Sequence, residues 1–276
     1  MLPNGWKKVK VGDVVKMSSG GTPSKDNASF WNGDIPWISA LEMHKNFVEE
    51  AKLNITEDAL KKGSSLAKKN DLLLLTRGSM LWKRIPVCLC LRDVAFNQDV
   101  KCLHANEKLN STFLLYWFGC MEPKIMHMVV GTGIGAGKLE SSGILDLDVN
   151  LPPLEEQKKI AATLSVWDSA IEKMEKLIEA KENSFNNLLK ELIYSPAKKE
   201  CWDIVKLGDV SEMSSGGTPK SSIEKYYNGD VLWVSIADMT EQGMYIKDTA
   251  KKLTKLGIEN SAAKIYPKGT VLYAMY

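Results

Sequence analysis

The residues of this chain best suited to chemistry on a partner are cations and hydrogen-bond donors rather than nucleophiles. Thr76, Arg77 and Ser79, followed by Lys83 and Arg84, form its best basic cluster, at the end of a short apolar run. Arginine can donate two parallel N–H bonds to guanine O6 and N7, whereas lysine supplies a point contact to phosphate. The same residues read equally well as a solvated charge run. Asn97 and Gln98 carry amides that match an adenine edge, or that cap a strand end. Ser19 and Thr22 belong to a Ser-Ser-Gly-Gly-Thr-Pro turn. Its glycines allow positive φ, and its hydroxyls either satisfy nearby backbone or contact phosphate. Residues 131–137, Gly-Thr-Gly-Ile-Gly-Ala-Gly, lead into Lys138. That segment is either a flexible connector or a backbone brought close to a phosphate.

Other chemistries are poorly served. A Walker loop needs a glycine where Thr132 stands and a Ser or Thr where Leu139 stands, and a dinucleotide fingerprint should directly follow a strand. Neither nucleotide reading survives. His44, His104 and His127 are scattered, with no acid or nucleophile beside them in sequence, and read as structural or surface residues. Cys88, Cys90, Cys102, Cys120 and Cys201 lack zinc-site spacing and read as buried, reduced thiols. Hydrolase elbows, zinc-protease helices and the Asn/Asp-Pro-Pro-Tyr/Phe signature of amino-methylating enzymes are all missing. No metal and no cofactor is expected.

A net charge of +2 gives the whole chain no strong polyanion-binding field, so any nucleic-acid contact must be a local basic patch. The first residues lack the apolar core of a signal peptide, and no apolar run approaches the roughly 18 residues that span a bilayer. A cytoplasmic protein without membrane contact is expected. Residues 6–43 return at residues 202–239: Trp6, Gly12, Asp13, Gly20, Gly21, Thr22, Pro23, Asn32, Gly33, Trp37 and Ser39 recur as Trp202, Gly208, Asp209, Gly216, Gly217, Thr218, Pro219, Asn228, Gly229, Trp233 and Ser235. A period of about 196 residues is far longer than a solenoid unit of roughly 20–50. It marks a duplicated domain, so residues shared by both copies belong to the scaffold, and base reading belongs where the copies differ. Strands are expected near residues 35–40, 71–76, 86–91 and 94–96. Helices are expected from an Asn110 cap to about Cys120 and again over residues 123–130.

Leu151-Pro-Pro-Leu-Glu-Glu opens the strongest helix, since proline and glutamate suit a first turn with free amide donors. Ile160, Leu164, Trp167, Ile171, Met174, Ile178, Lys181, Phe185, Leu188 and Leu192 follow in steps of four and three. Such a heptad seam faces a partner helix, and only Lys181 interrupts it. Roughly 40 residues at about 1.5 Å each make a rod on the order of 60 Å long, ending near Ser195-Pro196. The fold class is α+β: a mixed recognition-type domain over residues 1–150, a coiled-coil spacer helix over 151–196, and an incomplete second copy over 197–276.

In this order the pieces resemble a known family. Trp6-x-x-Val-x-Val-Gly-Asp-Val with Gly20-Gly-Thr-Pro and Asn32-Gly-Asp-Ile-Pro-Trp-Ile-Ser is similar to the opening of a target-recognition domain. Asn97-Gln98 with Phe113-Leu-Leu-Tyr-Trp, and Leu151-Pro-Pro-Leu-Glu-Glu-Gln before the heptads, resemble its later part and its spacer. The family is the DNA-specificity subunit of Type I restriction–modification systems. The resemblance implies a non-catalytic subunit whose two recognition domains each read half of a split sequence on double-stranded DNA. It implies partners as well: modification subunits that methylate adenine with S-adenosylmethionine, and restriction subunits that cleave DNA using ATP. The sequence departs from the pattern after residues 269–276, which align with residues 70–77. An unstable second domain, or one completed by another chain, is the expectation. A homodimer along the heptad seam would present two identical heads to an inverted repeat. The alternatives are an inactive truncated product, a scaffold that binds only protein, and a methyltransferase with an unusual motif.

Overall fold

Four consecutive leucines, Leu72–Leu75, have no exposed surface, so the strand they form is covered on both faces and the rest of the first unit is layered around it. The computed structural model describes residues 2–133, 135–194 and 203–275. Ile134, Ser195, Pro196, Cys201 and Trp202, which fall in segments named above, and the last residue, Tyr276, lie outside them. The chain divides into two units, residues 1–186 and 187–276.

In the first unit a five-stranded sheet runs in the order β2 (Val15–Ser19), β11 (Val100–Ala105), β7 (Leu72–Leu75), β9 (Val87–Cys90), β4 (Phe47–Val48). A second sheet orders β5 (Asn54–Ile55), β3 (Trp31–Ile38), β10 (Val94–Phe96) and β6 (Ser65–Ala67). The pairings β3–β10 and β4–β9 are parallel and the rest of both sheets is antiparallel, which makes the unit a mixed α/β fold of the α+β kind. β1 (Lys7–Lys10) pairs with β14 (Asp148–Leu151), joining the start of the unit to the residues before the long helix. Asp148 is ion-paired with Lys8 and Lys10, which hold its carboxyl down at about 2.

Residues 111–126 form one helix where two were expected. Asn110 is its N-cap, accepting from the Phe113 amide at 2.9 Å, and Pro123 is carried inside the last turns. Burial of Phe118 and Ile125 on either side of Pro123 holds the helix together past a residue that removes one backbone bond. The long helix covers Leu154–Leu189 and widens into a π turn over Lys190–Tyr194. None of the helices among the described residues is long and apolar enough to cross a membrane. Cys88, Cys90 and Cys102 are buried thiols pushed up by desolvation, Cys88 and Cys102 to about 12, whereas Cys120 is exposed.

The second unit repeats local details of the first. The Trp37 indole donates to the Gly21 carbonyl at 3.0 Å, and Trp233 donates to the Gly217 carbonyl at 3.1 Å. Asn32 and Asn228 both adopt left-handed backbone, at φ of 65° and 62°. Ser39 caps a turn with Glu42 as Ser235 caps one with Asp238. The strand Tyr227–Trp233 pairs with Lys251–Leu253 as β3 pairs with β5.

Candidate nucleic-acid interface

The Ser-Ser-Gly-Gly-Thr-Pro turn owes its shape to packing. Neither Gly20 nor Gly21 has positive φ, contrary to the sequence expectation. A Cβ on Gly20 would stand 2.2 Å from the Phe96 carbonyl oxygen, and one on Gly21 2.3 Å from that of Gly63. The turn is thus clamped between β10 and the end of the helix Glu57–Gly63, with the Gly21 amide donating to Phe96 at 2.9 Å and the Ser64 hydroxyl to Gly21 at 3.1 Å. Clamping sets where the polar residues beside the turn emerge. The Thr22 hydroxyl donates to the Gln98 side-chain oxygen at 2.6 Å, and Lys101 Nζ donates to the Ser19 hydroxyl at 2.7 Å. Ser19 and Gln98 are exposed and Thr22 half-buried.

The basic cluster adjoins this edge through backbone. The Asp99 carbonyl accepts from the Thr76 amide at 2.8 Å, the Thr76 hydroxyl at 3.0 Å and the Arg77 amide at 3.3 Å. The turn 97–99 and the strand end 76–77 therefore sit side by side. A three-stranded ribbon continues from there. β8 (Arg77–Gly78) pairs with β13 (Gly137–Lys138), which pairs with β12 (Val130–Gly131), setting Lys138 directly opposite Arg77. The two ends of the segment read as either a flexible connector or a backbone close to a phosphate are thus paired strands. Arg77 is exposed and pairs with no carboxylate among the described residues, while Lys138 is 2.7 Å from Glu140. Ser79 and Lys83 are exposed on the short turn that follows β8.

Seven of the ten predicted contact residues, Ser19, Thr22, Arg77, Ser79, Lys83, Gln98 and Lys138, are thus exposed or half-buried along one edge built from β2, the turn 97–99 and the ribbon. The other three are engaged internally. Thr76 is buried on Asp99. Asn97 is buried and accepts the Asp99 amide at 3.1 Å, the capping alternative noted for it. Arg84 donates to the carbonyls of Met43 and His44 at 3.2 and 3.3 Å. His104 does have an acid beside it, since Nδ1 lies 2.6 Å from the buried Asp71 carboxylate, a neighbour that sequence distance hides. Lys101, half-buried between buried Val100 and Cys102, joins this edge without having been singled out by the sequence. Among the described residues no group of His, Cys, Asp and Glu could hold a metal ion.

The seam of the long helix divides in two. Ile160 is half-buried and packs on the core of the first unit. Leu164, Trp167, Ile171, Met174, Ile178, Phe185, Leu188 and Leu192 are 38–66% exposed, far more than an apolar residue with a partner would be. The helix is fastened at its start. Gln157, fully buried, accepts the Asn110 amide at 2.8 Å and donates to the carbonyls of Pro152 and Lys108 at 2.8 and 3.0 Å. Further on, Asp168 accepts from Tyr116 at 2.9 Å and Asn46 at 3.0 Å. Gln157 was not singled out by sequence; its only signal is the close of the Pro-Pro-Leu-Glu-Glu-Gln run.

Comparison with known proteins agrees with this architecture. The chain is 25% identical to the MjaIX specificity subunit of Methanocaldococcus jannaschii over 97% of its own length and 67% of the relative's. It is 29% identical to the EcoR124I/EcoR124II specificity subunit of Escherichia coli, over 71% of this chain and 49% of that one. It therefore spans about half to two thirds of the curated relatives it matches. The fold is similar to that of the S subunit of a Type-I restriction-modification system from M. genitalium, with a TM-score of 0.51 and 18% identity over 92% of this chain and 64% of that one. The family model described as the Type I restriction modification DNA specificity domain matches residues 3–182 and 199–276, and the chain belongs to that family.

Proposed function

We propose that the chain is the non-catalytic, sequence-specific DNA-binding subunit of a Type I restriction–modification complex, reading one half-site with the edge formed by β2, the turn 97–99 and the ribbon. It recruits modification and restriction subunits in the cytoplasm and needs no cofactor of its own. The observation that carries this reading is the convergence of Ser19, Thr22, Arg77, Gln98 and Lys138 from four distant stretches of chain onto one polar edge, with Arg77 left unpaired among the described residues. Replacing Arg77 by alanine is expected to cost about 1–3 kcal/mol of specific binding, read by fluorescence anisotropy on cognate and random duplexes. An equal loss on both would reduce Arg77 to a phosphate contact.

The spacer makes a second contact. Its exposed stripe is taken to pair with the same stripe of a second copy, giving a homodimer with two identical heads suited to an inverted repeat. Charged residues in the middle of the seam should abolish pairing without touching the head. Leu164→Glu combined with Ile171→Glu is expected to convert a dimer to a monomer in analytical ultracentrifugation at micromolar concentration. A wild-type chain that sediments as a monomer there sinks the dimer. A chain with no salt-dependent DNA affinity would favour the protein-binding scaffold instead.

A further inference from the structure

The long helix is attached to the rest of the first unit by a polar side chain at each end of the contact. Gln157, fully buried on Asn110, Pro152 and Lys108, is the first fixed point. Ile160 and Ala161 follow against the core, and Asp168 is the last half-buried residue: every described residue from Ser169 to Ile193 is exposed. Gln157 and Asp168 are eleven residues apart, close to three whole turns, so they share one face of the helix about 16 Å from each other. Two points on one face fix a line. The apolar contacts between them hold the helix down without setting its direction, because such contacts have no preferred angle. Hydrogen bonds do have one.

The second point is braced from two sides. Asp168 Oδ2 accepts the Tyr116 hydroxyl at 2.9 Å and the Asn46 side-chain amide at 3.0 Å. Tyr116 stands on the helix Ser111–Met126 beside buried Leu115, and its hydroxyl also reaches the Ser165 hydroxyl at 3.1 Å. Asn46 is tied to the five-stranded sheet, where its carbonyl accepts the Leu89 amide of β9 at 2.8 Å. A helix and a sheet thus converge on one carboxylate oxygen. Unlike the bonds of buried Gln157, these open at small cost, since water reaches a half-exposed carboxylate and replaces either partner. A groove of about 270 Å³, lined by Asn46 and by Gly119 of the same helix, leaves Asn46 space to turn away.

We propose that Asp168 is a positioning residue: with Gln157 as pivot, the long helix leaves the first unit in the direction that Tyr116 and Asn46 impose, and this direction sets the separation of half-sites that a pair of chains accepts. This rests on reading the chain as a DNA-specificity subunit that pairs along its helix, because half-site separation in a dimer follows from its geometry. Two measurements on the full chain test it, the first without DNA. Nitroxide labels on Glu107→Cys and Glu182→Cys, both exposed positions, report the distance from head to helix by electron–electron double resonance. Cys120→Ser and Cys201→Ser keep other sites unlabelled, and excess unlabelled chain isolates pairs within one molecule. The distribution should be narrow in this background. It should broaden in Asp168→Ala and in Tyr116→Phe combined with Asn46→Ala, and stay narrow in Asp168→Asn, which keeps an acceptor oxygen. All are expected to melt close to the wild type. In the second measurement, random duplexes selected on the wild-type chain give paired half-sites at one separation. Adding one base pair between them should weaken wild-type binding at least about tenfold, the scale of one mismatched pair, and Asp168→Ala binding less than about threefold. Affinity for a single half-site should hold in every variant. An unchanged distance distribution in Asp168→Ala overturns the proposal, as does a broader one that leaves the spacing preference intact. A wild-type chain that selects no paired half-sites overturns the pairing reading before any variant is made, and the role in spacing with it.

Discussion

Replacing Gly20 by alanine is expected to destabilise the first unit by at least the upper end of the roughly 1–3 kcal/mol that overpacking costs. The added methyl would stand 2.2 Å from the Phe96 carbonyl oxygen, 2.4 Å from that of Asn97 and 2.5 Å from the Phe96 ring. Two of these are backbone atoms of β10 and the turn after it, and Phe96 is itself fully buried, so nothing at the site can swing away. The equivalent change in the second copy makes the comparison sharp. Gly216 is exposed, a Cβ there meets nothing within 4 Å, and its φ is not positive. Gly216→Ala should therefore be neutral, or stabilising by up to about 1 kcal/mol through the lowered entropy of the unfolded chain. Hydrogen exchange read by mass spectrometry separates the two units. Faster exchange of β10 and β11 in Gly20→Ala is the expected result. Unchanged protection there would show that the close approach is not rigid.

Gln157→Leu should be nearly as costly. Leucine fills much the same space but abandons three backbone groups: the Asn110 amide and the carbonyls of Pro152 and Lys108. Each buried group left unsatisfied costs about 1–3 kcal/mol, so a loss on the order of 3 kcal/mol or more follows even though the substitution raises hydrophobicity. Lys158→Ala, one residue on and exposed, is the control and should stay within about 0.5 kcal/mol of the wild type. A urea midpoint is the readout. A Gln157→Leu protein as stable as this control would mean that water takes over the three bonds.

What the sequence reveals and what it hides divide along the range of the interactions. The strand at Leu72–Leu75, the cap at Asn110, the long helix and the repeat are written in neighbouring residues, and each is found where local pattern places it. The reason for Gly20 and Gly21 is not. Their neighbours in space are Phe96 and Gly63, and composition alone suggests the wrong cause, a positive φ. Pro123 shows the same limit: proline reads as a helix break, but buried Phe118 and Ile125 carry the helix through it. At the candidate interface the residue types were legible. The engagement of Arg84 was not, because the carbonyls of Met43 and His44 are brought near it only by the fold, whereas Asn97 accepts from the amide of Asp99 two residues on, the local capping alternative.

The fastening of the long helix has a mechanical consequence. Gln157 and Asp168 grip its first turns, and the remainder, up to Leu189, extends as a lever of about 30 Å at 1.5 Å per residue. Tilting a lever of that length by roughly 6° moves its tip by about 3 Å, close to the 3.4 Å that separates successive base pairs along a strand. Under the proposed function, angular tolerance at the grip becomes an error of position along DNA. The hydrogen bonds of Tyr116 and Asn46 to Asp168, modest as energies, lie where the helix leaves the first unit and so bear on that angle.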